Sequence, residues 1–165
     1  MSTDHQRERD DLVATLAQHR GFLLRTVAGI DDAAARSTPT VSTLSLASLL
    51  KHVADTEAGW IAFARTGVMP GIDSWSGEDT RFVLGEEHTL EWLRAHLDAT
   101  ASDTAAFIAE ADLDAAWELP EAPWFPPGTT WTVRRILWHV LAETSQHAGH
   151  ADIIRETIDG SRTMG

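Results

Sequence analysis

The chain has 165 residues, of which 43% are hydrophobic and 23% charged, proportions typical of a globular domain with its own core. Its formal charge of −12 argues against nucleic acid as a partner, because phosphate binding needs a basic face. The absence of cysteine excludes disulfides, thiolate metal ligands and a cysteine nucleophile within the chain. Any thiol chemistry would therefore need a thiol from outside.

Two further features bear on location. No apolar run approaches the roughly 18 residues that a membrane span needs, so we expect no membrane partner. The first residues, MSTDHQRERDDL, are polar and charged and lack the apolar core of a signal peptide. We expect a cytoplasmic protein whose residues 1–165 form one domain.

Four segments in which apolar residues recur at helical spacing follow one another along the chain. The first runs from about Asp4 to Ala28. The second begins after Thr43, with Ser45 as a possible cap, and ends before Gly67. The third runs from about Thr89 to Ala111, and the fourth begins after Thr130 and ends at a C-cap on Gly160. Each segment predicts one amphipathic helix.

Strand signals are scarce, so the pattern predicts an all-α four-helix bundle. The connections at residues 66–88 and 112–131 are long enough to cross the length of a bundle, which permits parallel neighbouring helices. They are rich in tryptophan, which indicates loops that pack on the bundle; these residues are Trp75, Trp117, Trp124 and Trp131.

The fourth helix contains the motif WHVLAETSQHAGHADIIRE, residues 138–156. On a helical wheel His147 falls inside the apolar stripe and Glu143 on its flank, and their i, i+4 spacing lets both side chains meet at one point. His139 and His150 lie nearer the edge, as partners of the other two at most. The pair is compatible with two ligands of a metal site, or with a buried hydrogen-bonded pair.

A third ligand would have to come from another helix. The second helix contains LLKHVADTEAGW, with His52 and Glu57 as candidates. Glu57 lies in the apolar stripe and His52 well off it, so periodicity favours Glu57. The alternative for Glu57 is a buried carboxylate paired with an arginine or a tryptophan N–H. His19, on the apolar stripe of the first helix, is a further candidate.

These two motifs resemble those of the DinB-like superfamily of metalloenzymes, and the glutamate at position 143 resembles the mycothiol-dependent maleylpyruvate isomerase and mycothiol S-transferase branch. In length and helix order the resemblance extends over nearly the whole chain. It implies a DinB-like four-helix bundle in up-down-down-up order with long crossover loops. It also implies a divalent metal held by His52, Glu143 and His147, and so overrides the preference for Glu57, which becomes a neighbouring or core-pairing residue.

Three protein ligands leave an open coordination position, as in catalytic metal sites. The resemblance implies a metal-dependent thiol S-transferase, in which the metal activates a low-molecular-weight thiol, mycothiol, for attack on a small electrophile. Zinc is the first expectation, and nickel or iron would suit the same ligands. The alternatives are a metal-dependent hydrolase and a non-catalytic, stress-related protein that binds metal or a small molecule. The resemblance also makes a homodimer an expectation.

Overall fold

The computed structural model describes residues 3–70, 80–123 and 125–163. Four long helices dominate this part of the chain: α1 (Thr3–Arg25), α3 (Leu46–Thr66), α4 (Leu90–Glu110) and α5 (Val133–Asp159). The connections contain a short helix, α2 (Asp32–Arg36), and an antiparallel ribbon of β1 (Ala116–Glu118) and β2 (Thr130–Thr132). The all-α fold class is confirmed. No helix among the described residues is long and apolar enough to cross a bilayer.

The helix ends follow local signals in the sequence. Ser45 caps α3 through a capping box, in which its hydroxyl accepts from the Ser48 N–H at 3.1 Å and the Ser48 hydroxyl accepts from the Ser45 N–H at 3.0 Å. Gly67 and Gly160 end α3 and α5 in the left-handed region, with φ of 72° and 78°. The last helix begins only at Val133, because the residues just before it pair with β1.

Helices α1 and α5 run in the same direction, because their starts and their ends lie together. Arg134 near the start of α5 donates to the Glu8 carboxylate near the start of α1. At the other end Arg155 donates to the carbonyl of Thr26 at 2.8 Å, just beyond α1.

Helices α3 and α4 also run parallel to each other. Asp55 pairs with His96 at 2.8 Å, and Arg65, later in α3, pairs with Asp103, later in α4, at 2.8 Å. This pair of helices runs opposite to α1, since Arg9 at the start of α1 donates to the carbonyl that follows the end of α4, at 2.7 Å.

The resulting order is up-down-down-up, as the sequence resemblance implied. Of the two long connections, only the one between α3 and α4 passes from one end of the bundle to the other. The connection between α4 and α5 joins helix ends that lie together, and it folds into the ribbon instead. The ribbon packs on the end of α3, where the Trp117 indole N–H donates to the Ala64 carbonyl at 2.8 Å. Trp75 and Trp124 lie outside the described residues.

The apolar core divides into two clusters, one near each end of the bundle. The first includes Leu23, Leu49, Leu50, Leu93, Leu97 and Ile154; the second includes Leu16, Ile61, Phe63, Ile108, Ile136 and Val140. Buried polar side chains from all four long helices lie at or near the boundary between the two clusters: Arg20, His52, Glu57, Thr100, Thr104, Thr144 and His147. We call this set the polar layer.

Glu57 is the most deeply buried charged residue of the polar layer, with 1% of its surface exposed. The Arg20 Nε donates to its Oε2 at 2.9 Å, and a second nitrogen of the same guanidinium and the Thr104 hydroxyl donate to Oε1. The carboxylate is thus fully compensated by α1 and α4. The alternative in which Glu57 is a core carboxylate paired with an arginine is the arrangement observed.

Replacing Arg20 with methionine should lower the free energy of unfolding by about 3–5 kcal/mol, because it leaves the Glu57 carboxylate buried without its cation. Chemical denaturation followed by circular dichroism measures this loss. The matched control is Arg65→Met, which removes the exposed pair with Asp103 and should cost less than about 1 kcal/mol. Equal losses in the two variants would contradict a special role for the buried pair.

Candidate metal centre

Three side chains that are distant in sequence converge between α3 and α5. Glu143 Oε2 lies 3.5 Å from His147 Nε2 and 3.9 Å from His52 Nε2. Each of the three residues offers one potential ligand atom, and these three atoms lie within 4.8 Å of one another. In the described part of the chain, no other group of three or more His, Asp or Glu side chains converges in this way. The antiparallel packing of α3 on α5 therefore brings together a complete set of three donors.

The spacing of these atoms fits a metal ion better than a direct hydrogen-bonded pair. Nitrogen to oxygen hydrogen bonds are about 2.7–3.2 Å long, shorter than the 3.5 and 3.9 Å measured from Glu143 Oε2. Two ligands at about 2.0–2.2 Å from one tetrahedral ion are separated by roughly 3.3–3.6 Å. The 3.5 Å between Glu143 and His147 falls within this range, and the 3.9 Å between Glu143 and His52 lies slightly beyond it. Two imidazoles and one carboxylate suit zinc, nickel or iron, and three donors leave a position open.

His52 faces this centre although it lies off the apolar stripe of its helix. Helix α3 packs against both α4 and α5, so side chains on more than one of its faces are buried, and His52 is only 5% exposed. Glu57 faces α1 and α4, where Arg20 and Thr104 bind it. The preference of helical periodicity for Glu57 as the third converging residue is therefore wrong, because a helical wheel assumes a single buried face.

Glu143 carries the negative charge of the centre. The ring nitrogens of His147, and then those of His52, interact with its carboxylate and hold its pKa well below the usual range, although partial burial acts in the opposite direction. The carboxylate is therefore ionised at neutral pH, the state in which it can bind a cation.

The side chain of His139 lies next to the other oxygen of this carboxylate, with its Nε2 3.8 Å from Glu143 Oε1. Its ring stands edge-on to Trp60 at 4.8 Å and to Trp131 at 5.1 Å between centroids. Burial against these rings lowers the pKa of His139 from its ordinary 6.5, and the charge of Glu143 opposes that effect. His139 is thus a neutral neighbour of Glu143 at pH 7.

His150 occupies a similar position behind the other histidine of α5. Its Nδ1 lies 3.4 Å from His147 Nδ1, while His147 Nε2 faces Glu143. A close approach of two ring nitrogens is favourable when one of them carries the proton and donates it. The arrangement therefore suits His147 as an Nε2 donor to a metal, with its Nδ1 facing the Nδ1 of His150.

Phe82, from the connection between α3 and α4, was not identified by the sequence analysis. Its ring stacks on His52 with centroids 4.2 Å apart, and it stands edge-on to His147 at 6.1 Å. A single aromatic residue in a loop gives no periodic signal, so only the tertiary structure shows that it covers the centre. His19 contacts Phe22 on its own helix, at 5.5 Å between centroids, and is not in the cluster.

Comparisons with known proteins reveal similarities at two levels. Residues 11–160 match the family model described as mycothiol-S-transferase. A solved structure, described as a conserved protein from Enterococcus faecalis, aligns over 92% of this chain and 97% of its own, with a TM-score of 0.69 and 17% sequence identity. At that identity the likeness shows a shared fold alone. No match was found among curated proteins.

If His52, Glu143 and His147 bind a metal, replacing any one of them with alanine should remove most of the metal while leaving the helix content unchanged. Elemental analysis together with circular dichroism measures both quantities. His150→Ala is the matched control on the same helix, and it should keep its metal with an affinity reduced by about 10–100-fold. Loss of metal in His150→Ala as complete as in His147→Ala would contradict this assignment of ligands.

In the metal-free protein His139 should titrate below 6.5, because burial disfavours its charged form. Glu143→Gln should lower this pKa further, since it removes a negative neighbour that stabilises the imidazolium. Arg135→Gln should raise it, since it removes a positive one. Imidazole resonances followed by NMR against pH give all three values, and shifts of the opposite sign would contradict the electrostatic picture.

Proposed function

The chain belongs to the mycothiol S-transferase family, and from this premise we propose that it is a metal-dependent thiol S-transferase. In this proposal His52, Glu143 and His147 hold a divalent ion, zinc in the first instance. Mycothiol is the thiol that is joined to a small electrophile. The observation that carries the proposal is the convergence of the three donor atoms within 4.8 Å at mid-bundle.

A divalent ion at these residues would supply a Lewis acid with an open position, which lowers the pKa of a bound thiol and favours its thiolate. The chain has no cysteine, so the nucleophilic sulfur must come from a co-substrate. The sulfur forms a bond to the electrophilic carbon, the leaving group departs with the bonding electron pair, and the thiol proton passes to solvent.

The protein's own side chains would prepare this site for the reaction. The ionised Glu143 supplies the one negative charge among the three donors, and His52 and His147 supply imidazole nitrogens. His139 and His150 position Glu143 Oε1 and the His147 ring, from 3.8 and 3.4 Å respectively. Phe82, stacked on His52, shields that side of the centre from water.

We expect protein purified without a metal-affinity tag to contain about one divalent ion per chain. With mycothiol and chlorodinitrobenzene it should form the thioether faster than the uncatalysed reaction does. His147→Ala should lose both the metal and the conjugation, while His19→Ala, which replaces a histidine outside the cluster, should keep both. Elemental analysis and the absorbance of the thioether measure the two quantities.

Other outcomes would identify the alternatives. A hydrolysed product without a thiol adduct would favour a metal-dependent hydrolase. Metal binding with no turnover of any thiol would favour a binding protein. A protein that binds no metal even after addition of zinc would show that Glu143 and His147 are a buried polar pair, and the proposal would then lack a mechanism.

A further inference from the structure

We propose that Arg135 binds a carboxylate on the small molecule that reaches the candidate metal centre. The identification of that molecule as the electrophilic acceptor rests on the proposed function. The binding of the carboxylate does not, because it follows from the position and contacts of Arg135 itself.

Arg135 lies at the outer end of a row of side chains that leads to the centre. Arg135, His139, Glu143 and His147 recur every four residues of α5, so they form one ridge along the helix. Arg135 is exposed, the side chains of His139 and Glu143 are 27% and 29% exposed, and that of His147 is 11% exposed. The ridge therefore runs from the exposed Arg135, through two partly exposed side chains, to the buried His147.

An aromatic contact holds the guanidinium in place. Its central carbon lies 4.9 Å from the centroid of the Trp131 ring, and Trp131 in turn stacks on Trp60 at 5.3 Å. A guanidinium that lies over an aromatic face keeps its N–H edges free, and these edges match the two oxygens of a carboxylate. Trp131 also contacts His139, so this support belongs to the same ridge.

Within the described part of the chain, no side chain neutralises the charge of Arg135. Other arginines donate to carboxylates or carbonyls, among them Arg9, Arg20, Arg36, Arg65, Arg94, Arg134, Arg155 and Arg162. No carboxylate of the described residues forms a salt bridge with Arg135, although the chain has a formal charge of −12.

The distance along the ridge limits the size of the ligand. Arg135 and Glu143 are eight positions apart, so their Cα atoms are separated by about 12 Å. Measured from a metal ion to a guanidinium, a bound sulfur, one aromatic ring, a carboxylate on the far side of that ring and the hydrogen bond of that carboxylate together span a comparable length. We therefore expect small acceptors of about one ring that carry a carboxylate opposite the reacting carbon.

Equilibrium binding to the zinc-loaded full chain tests this inference without turnover. The probes are dinitrobenzoate and dinitrobenzamide of the same substitution pattern, which differ mainly in charge, and quenching of tryptophan fluorescence gives their affinities. The wild-type protein should bind the benzoate about tenfold more tightly than the benzamide, the effect of one charge-assisted contact. Arg135→Gln should remove this preference, and Arg135→Lys should keep part of it.

The matched control is Arg25→Gln, since Arg25 also lies over an aromatic ring, that of Phe22 at 5.2 Å, but outside the centre. It should leave the preference unchanged. The inference is overturned if the wild-type protein shows no preference, or if the preference survives in Arg135→Gln, because the metal would then hold the carboxylate. Equal loss in Arg25→Gln would also overturn it, as an effect of net charge.

Conjugation kinetics separate this inference from the proposed function. Chlorodinitrobenzoate and chlorodinitrobenzamide react with mycothiol by displacement of chloride, and each rate is divided by its uncatalysed rate. Arg135→Gln should lose the preference for the benzoate through KM. Unchanged preference in that variant would overturn the role of Arg135 and leave the transferase function intact. Absence of conjugation, with the binding preference retained, would overturn the function and leave Arg135 as a carboxylate site.

Discussion

The burial of charge in the polar layer constrains the packing of the whole bundle. An ionised carboxylate is stable in the interior only with a partner, so α1 and α4 must keep the positions that bring Arg20 and Thr104 to Glu57. The same contacts fix the rotation of α3 about its axis. Because His52 lies five residues before Glu57 and faces another side of α3, this rotation turns His52 toward α5.

The polar layer has two halves, one around Glu57 and one that adjoins Glu143. They differ in how the protein forms hydrogen bonds to the carboxylate. Around Glu57 every oxygen accepts a hydrogen bond from the protein, and the residue is 1% exposed. Around Glu143 the nitrogens of His52 and His147 remain 3.5–3.9 Å from the carboxylate, whose side chain is 29% exposed. The first half is a closed structural pair. The second keeps a spacing and a solvent access that are compatible with a metal and a substrate, which is why we propose the function there.

One ridge of helix α5 contains both the candidate metal ligands and the proposed carboxylate-binding arginine. Its middle contributes Glu143 and His147 to the centre, and its first turns contribute His139 and Arg135, which contact the Trp131 ring. The ribbon holds Trp131 at this place, because the residue belongs to β2 and pairs with Trp117 in β1. The connection between α4 and α5 is thus more than a link between helices, since it supplies the Trp131 ring that His139 and Arg135 contact.

Local sequence signals were sufficient to predict the long helices, their caps and the Glu143–His147 pair, because all of these depend on residues within four positions of one another in a regular helix. Resemblance to a family, and not periodicity, pointed to His52. Three contacts depend on how the helices and loops pack together: Glu57 pairs with Arg20, Phe82 covers His52 and Arg135 lies over Trp131. The first contact joins α1 to α3, and the second joins a loop to α3. The third joins α5 to the ribbon, and it forms only because the pairing of β1 with β2 holds Trp131 in place. A helical wheel describes one face toward one neighbour, whereas packing against several neighbours decides which polar side chains meet.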